Sequence, residues 1–362
     1  MRLFSSRPAL RWLAPLAFVL AISGTALVAT SATAERKLPT RTAEQLLVDV
    51  QNAEVDGLSG TVIQRANLGI PEIPGADENS ELGSLVSGTH TLRVRYSEPN
   101  KVRLAVLGTY GETDVITNGK DLWVWSSRDQ AATHRTVNPG DRPKELDRKP
   151  GDLPRTPQEA AEQALAALEP TTTVTTDSDV TVADRPAYEL VLDPNDDASL
   201  IGQVRLAVDG ETKMPLRVQI LNVNADLVFE VGYDSVTFTR PEDREFEFNA
   251  PPGTKVTEGG QVAPRTPTEK EQEQAREKAD KARSSAKIVG SGWSMVAIQK
   301  VGTADGSEPS ELQGFLSQLP RVSGAWGSGR LLAGTAFSAV LTDDGRLAVG
   351  AVRPEKLYQA LG

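Results

Sequence analysis

Two histidines, His90 and His134, and no cysteine are all the soft metal-ligating side chains in this sequence of 362 residues. A catalytic zinc takes three protein ligands close together, and a nucleophilic thiolate needs a thiol, so neither chemistry has what it needs. The chain holds no H-E-x-x-H, no G-x-S-x-G elbow, no phosphate-cradling G-x-x-x-x-G-K-[ST] loop and no G-x-G-x-x-G after a strand. Gly327-Ser328-Gly329 is a lone glycine pair and reads as a turn. Asp193, Asp196 and Asp197 around Pro194 and Asn195 offer hard oxygens of the kind calcium takes, yet the run reads first as a solvated turn. His90 alternates with Leu92, Val94 and Tyr96 and reads as a polar atom at the rim of an apolar surface. No catalytic residue, no metal and no cofactor is therefore expected.

The elements around these residues are strands. From Thr89 to Thr136, His90, Leu92, Val94 and Tyr96 share one parity, Val102, Leu104 and Val106 a second, and Trp123 and Trp125 a third. Side chains two apart on a strand point the same way, so each run has an apolar side and a wetter one. Asn118-Gly119 between two runs supplies the positive φ of a tight hairpin. Further strands are expected at 188–192, with Tyr188, Leu190 and Leu192 on one side, and at 202–208, 216–221, 227–233, 236–238 and 246–248. Asp209-Gly210 turns one corner. A helix is expected over 42–53, opened by the Thr42/Gln45 capping box and ended at Gly57–Gly60, with the next strand starting at Thr61. A second helix is expected from Thr156-Pro157-Gln158-Glu159 to Pro170. The segment 67–88, rich in glycine and proline, reads as a loop. Helix, strands, helix, then more strands at hairpin spacing make an α+β layout, one antiparallel sheet with helices on one face.

The ends bear on location. Arg2, Arg7 and Arg11 precede an apolar run at 12–22 that leads to Ala32-Thr33-Ala34, the pattern of an export signal cleaved after Ala34. With no cysteine there is no lipoprotein anchor and no disulfide, so the core carries the stability. Net charge is −10, which repels phosphate backbones and anionic headgroups. Nucleic acid is not an expected partner, and membrane contact should be transient. The domains expected are a signal peptide at 1–34, a first domain at 35–257 and a charged, helix-prone linker at 258–289. A small α+β unit follows at 290–362, with a strand at 293–299, a helix at 310–319, a hairpin over Asp343-Asp344-Gly345 and a last helix at 354–361.

Across 38–257 the chain resembles LolA-like proteins, the outer-membrane lipoprotein carriers. The resemblance rests on Thr42-Ala43-Glu44-Gln45-Leu46-Leu47 with Leu58-Ser59-Gly60-Thr61, and on Ser97-Glu98-Pro99-Asn100-Lys101-Val102-Arg103 followed by Ile116-Thr117-Asn118-Gly119-Lys120-Asp121-Leu122-Trp123. Phe246-Glu247-Phe248-Asn249-Ala250-Pro251-Pro252-Gly253-Thr254-Lys255-Val256 resembles that family's closing strand and turn. Arg185-Pro186-Ala187-Tyr188-Glu189-Leu190 and Thr212-Lys213-Met214-Pro215-Leu216-Arg217 are similar to segments of its actinobacterial branch, and the extra carboxy-terminal unit resembles the layout of RseB/MucB sigma-E regulatory proteins.

The resemblance implies a curved, incomplete barrel whose concave apolar face, covered by helices, leaves a cavity for acyl chains. Where the proteobacterial carriers place an arginine that latches the helical lid, this chain has Glu98. Parity and resemblance together give the expected lining: Leu92, Val94, Tyr96, Val102, Leu104, Val106, Trp123, Trp125, Tyr188, Leu190 and Leu192. From the residues alone the same faces are either a filled core or a groove for an apolar ligand. The function implied is non-enzymatic binding of a lipid or a lipidated protein. The alternative is an extracytoplasmic sensor that binds an anti-sigma factor or another membrane-anchored protein.

Overall fold

The computed structural model describes residues 38–69, 88–108, 111–136, 170–259, 286–301, 314 and 316–362. The leader at 1–34, the helix expected from 156 and nearly all of the loop at 67–88 and of the charged linker lie outside them; of the helix expected at 310–319, residues 314 and 316–318 are described and are helical.

Helix α1 (Ala43–Gln51) opens as its sequence requires. Thr42 Oγ1 accepts the backbone N–H of Gln45 at 3.2 Å, and Gln45 Oε1 accepts that of Thr42 at 3.1 Å. Two otherwise orphaned N–H groups are thereby satisfied. Leu46 and Val50, four apart on one side, are its buried residues.

Twelve strands then form one sheet: β1 (Gly57–Ala66), β2 (Gly88–Ser97), β3 (Lys101–Leu107), β4 (Glu112–Thr117), β5 (Asp121–Ser126), β6 (Ala131–Thr136), β7 (Thr172–Val182), β8 (Arg185–Pro194), β9 (Ile201–Asp209), β10 (Pro215–Asn222), β11 (Leu227–Thr237) and β12 (Lys255–Glu258). Their spatial order is β12-β6-β5-β4-β3-β2-β1-β11-β10-β9-β8-β7. Neighbours are antiparallel except β12, which pairs with β6 in parallel, Lys255 opposite Ala131 and Glu258 opposite His134. The sheet is curved and not closed into a barrel; α1 packs Leu46 and Val50 on Tyr188 and Val208, and the face that carries them is termed the concave face.

Three local expectations are corrected. β1 begins at Gly57 rather than Thr61. A Cβ at Gly57 would stand 2.7 Å from the Arg240 Cα, and one at Gly60 2.7 Å from the Tyr233 ring, so these glycines permit close packing inside a strand instead of ending a helix. The segment at 246–248 is not a strand: a one-turn helix, Asp243–Phe246, buries Phe246 on the convex side of β3, and Phe248 packs against Trp123. The edge strand β7 went unforeseen because its threonines and aspartates lack apolar alternation, the polar character that protects a free edge. The hairpin joining β4 to β5 turns as expected, although only Gly119 takes positive φ (+89°). Asn118 occupies the first corner and accepts the N–H groups of Lys120 and Asp121 at 2.9 and 2.8 Å.

A second sheet holds β13 (Ala286–Val289), β14 (Val296–Lys300), β15 (Arg321–Gly324), β16 (Gly327–Ala333), β17 (Ser338–Thr342) and β18 (Arg346–Gly350), in the order β13-β14-β18-β17-β16-β15. Trp293 lies in a one-turn helix (Gly292–Ser294) ahead of β14, not in the strand. Helix α2 (Pro354–Leu361) packs Leu357, Ala360 and Leu361 onto Val296, Val340 and Ala348, and the Trp326 and Tyr358 rings stack at 5.7 Å. The two units meet at the ends of β1, β7, β9 and β11. There Trp293 Nε1 donates to Thr172 Oγ1 at 2.7 Å, Thr335 N–H to the Leu68 carbonyl at 2.9 Å and Arg353 N–H to the Ala198 carbonyl at 3.0 Å. Ile201, Val228 and Ala336 form a shared core with Trp293 and Ala351.

Candidate functional site

Cross-strand partners share a face, so the registers place every paired side chain on one side of the sheet or the other. The concave rows are apolar on both sides of β1, where a polar step interrupts them: Val231 meets Gln64, and Gln64 meets His90. Leu192 stands opposite Val204, Leu190 opposite Leu206 and Tyr188 opposite Val208. Val204 and Leu206 meet Ile220 and Val218, which meet Phe229 and Val231. Across β1 the rows pass to Leu92, Val94 and Tyr96, opposite Val106, Leu104 and Val102. Leu104 then meets Val115, and Val115 meets Val124.

Nine of the eleven residues expected as lining therefore share one face: Leu92, Val94, Tyr96, Val102, Leu104, Val106, Tyr188, Leu190 and Leu192. They are not equally open. Tyr188 lies with Val208 beneath Leu46 and Val50 of α1, and Val94, Val106 and Leu190 are also buried. Leu92, Tyr96, Val102, Leu104 and Leu192 are half-buried, as are Val115, Val204, Leu206, Val218 and Ile220 on the same rows. Tyr233, also on this face, is half-buried, and desolvation of its hydroxyl pushes it up to about 12, so it adds no charge there.

Trp123 and Trp125 do not belong with them. Trp123 pairs with Ile116 and Trp125 with Asp114, on the convex side. The rings pack on Phe248 at 4.8 and 6.4 Å, and Trp123 stacks on His134 at 4.1 Å. Concave positions on β5 belong to Leu122 and Val124, which sequence reasoning missed because the tryptophans dominate the run. The hairpin at Asn118-Gly119 held the signal: it pairs Thr117 with Leu122, which fixes Trp123 with Ile116. Leu122, Val124, Thr133 and Arg135 line a concave-side cavity of about 280 Å³.

The convex side is polar and ion-paired. Arg103 Nη2 meets Asp114 Oδ2 at 2.5 Å, Arg217 meets Glu189 at 3.1 Å, and Arg65 pairs with Glu230. The Arg185 guanidinium meets buried Asp209 at 2.5 and 3.0 Å. A cleft of about 560 Å³ between Arg103, Asp114, Trp125, Glu245 and Phe248 has mixed charged walls, which suits it poorly to an acyl chain. His134 sits between Asp121 Oδ1 (3.0 Å) and Glu258 Oε2 (2.8 Å). The bond to Asp121, joined by that to Glu258, raises the imidazole above its ordinary pKa; the bond to His134 in turn lowers Asp121. Asp193 accepts from Gln203 at 2.6 Å between β8 and β9, and Asp196 caps the Ala198 N–H at 2.9 Å within its turn. His90 lies on the concave face opposite Gln64.

No family model matches this sequence, and no curated protein does. Among solved structures the fold is similar to MucB in its complex with MucA from Pseudomonas aeruginosa, at 14% identity and a TM-score of 0.40, over 88% of this chain and 96% of that one. A LolA superfamily protein from Nitrosomonas europaea aligns at 13% identity and a TM-score of 0.22, over 58% of this chain and 99% of that one. An uncharacterized conserved protein from Thermus thermophilus aligns at 11% identity and a TM-score of 0.33, over 60% and 99%.

Proposed function

We propose that this chain is an exported, non-enzymatic binding protein that holds a hydrophobic ligand, a lipid or a lipoprotein acyl chain, against the concave face of its half-barrel. One observation carries the reading: apolar rows on both halves of the face, from Leu192 on β8 to Phe229 on β11 and from Val94 on β2 to Val124 on β5, many of them only half-buried. The fully buried members, Tyr188 and Val106, serve as core. The half-buried ones, Leu104 at their centre, are left for a ligand.

The energetics suit a carrier. Burying a methylene is worth about 0.8 kcal/mol, so a sixteen-carbon chain gains roughly 11–12 kcal/mol, which the bilayer offers almost equally. Association costs several kcal/mol. A shallow apolar wall that roughly balances the membrane can therefore take up a chain and release it. The test is native mass spectrometry of protein purified without detergent, paired with analysis of what organic solvent extracts. A discrete added mass that matches an extracted lipid supports the reading. A clean apo mass that takes up neither fatty acid nor lipopeptide refutes it.

The second sheet favours another reading beside this one, a regulatory module that binds a membrane-anchored protein, since a carrier of one chain has no need of it. Capture of such a partner by the full chain, lost on deletion of 290–362, would support that role; capture unchanged by the deletion would remove its basis.

A further inference from the structure

The charge pattern of the concave face goes a step beyond its apolarity. No paired strand position on that face carries a carboxylate, in a chain of net charge −10. Asp114, Glu189, Asp209 and Glu230 stand on the other side, where Arg103, Arg217, Arg185 and Arg65 neutralise them. Arg135 is the exception among these arginines. It pairs with Leu122 on the concave side, is exposed, and has no carboxylate partner among the described residues. It also forms one wall of the 280 Å³ cavity, beside the Thr133 hydroxyl and the apolar side chains of Leu122 and Val124.

Resting on the reading above, we infer that the ligand is an amphiphile with a carboxylate head, a long-chain fatty acid, its head held by Arg135 and Thr133. A single guanidinium fork matches one carboxylate in two parallel bonds. From Val124 the tail would follow Val115 to Leu104, opposite one another on successive strands from β5 to β3. With the step from β6 that row spans three strand spacings, roughly 14 Å at about 4.8 Å each. Lys255 supplies an internal control. It shares the face but pairs with Ala131, four positions along β6 from Arg135, roughly 13 Å away at about 3.3 Å per residue.

The experiment is displacement of a neutral fluorescent probe, diphenylhexatriene, from delipidated full-length protein by laurate and by dodecanol, equal tails with and without the charge. The expected result is that laurate competes about tenfold better at neutral pH. Arg135→Gln should erase that preference while dodecanol competes as before, Arg135→Lys should restore part of it, and Lys255→Gln should leave it intact. Equal competition by the two ligands in the unaltered protein overturns the carboxylate head and leaves the hydrophobic site standing. A preference that survives Arg135→Gln overturns the assignment of the head. Failure of the protein to bind probe or either ligand overturns the hydrophobic site itself, and this inference with it.

Discussion

Val124 and Trp123 are neighbours in sequence on opposite faces of β5, and they separate the concave site from the convex core. Val124 is 40% exposed and lines the concave cavity, so Val124→Glu should fold with a change in stability within about 0.5 kcal/mol, as surface substitutions do. Arg135, diagonal to it across the β5–β6 pair, can accept the new carboxylate. A bound chain would then lose contact over about three methylenes, about 2.4 kcal/mol at 0.8 each, or roughly fiftyfold in Kd. Trp123→Ala should do the reverse. It removes a ring stacked on His134 at 4.1 Å and packed on Phe248 at 4.8 Å, at a cost of about 3 kcal/mol in stability. Its lipid affinity should stay within twofold. Urea unfolding and titration with a fluorescent fatty acid, run on the two variants side by side, check both numbers. Unchanged binding by Val124→Glu, or weakened binding by stably folded Trp123→Ala, would refute the division of faces.

Three further outcomes follow from the same structure. Asp209→Ala should cost about 3 kcal/mol in urea unfolding, because it strands the Arg185 guanidinium and removes the acceptor of the Glu211 and Thr212 N–H groups. Burial would push the Asp209 carboxyl up, but Arg185 and the Thr212 turn hold it below its ordinary range, so its contribution is present above that range and fades as pH falls through the lowered pKa. His134 is raised in the folded chain, so its clamp on Asp121 and Glu258 is strongest below about 6.5 and weakens as pH rises through the raised value. A pH titration of tryptophan fluorescence should show this step, and His134→Gln should flatten it; an identical curve in the variant would contradict the clamp. Thr42→Ala should cost about 1 kcal/mol through loss of the helix cap, read by thermal unfolding.

Strand alternation made most of the large sheet legible before any coordinates, because each half-buried strand from β1 to β11 with a period of two announces its own faces. Parity within one strand says nothing about which face meets the next strand, which is how Trp123 and Trp125 came to be grouped with Leu104. That link is carried by register, which on β4 and β5 is set by the short turn at Asn118-Gly119. Phe246 and Phe248 misled for a related reason: two aromatics at strand spacing can also be anchors for irregular backbone laid over a sheet. β7 and β12 were illegible because edge strands need little apolar pattern. The capping box of α1 and the Asp209 turn were legible because their hydrogen bonds are local. Arg135 gave no signal by itself, since an exposed arginine acquires meaning only when the cavity beside it is known.

The central claim, a hydrophobic ligand on the concave face, is tested most directly by methyl NMR of the delipidated protein with a doxyl-labelled stearic acid. The account predicts that methyl signals of Leu92, Leu104, Leu192 and Val124 lose intensity, while those of Ala105 and Ile116, which point away from that face, keep theirs. Loss centred on the convex side, or no loss at any methyl at saturating ligand, would contradict it.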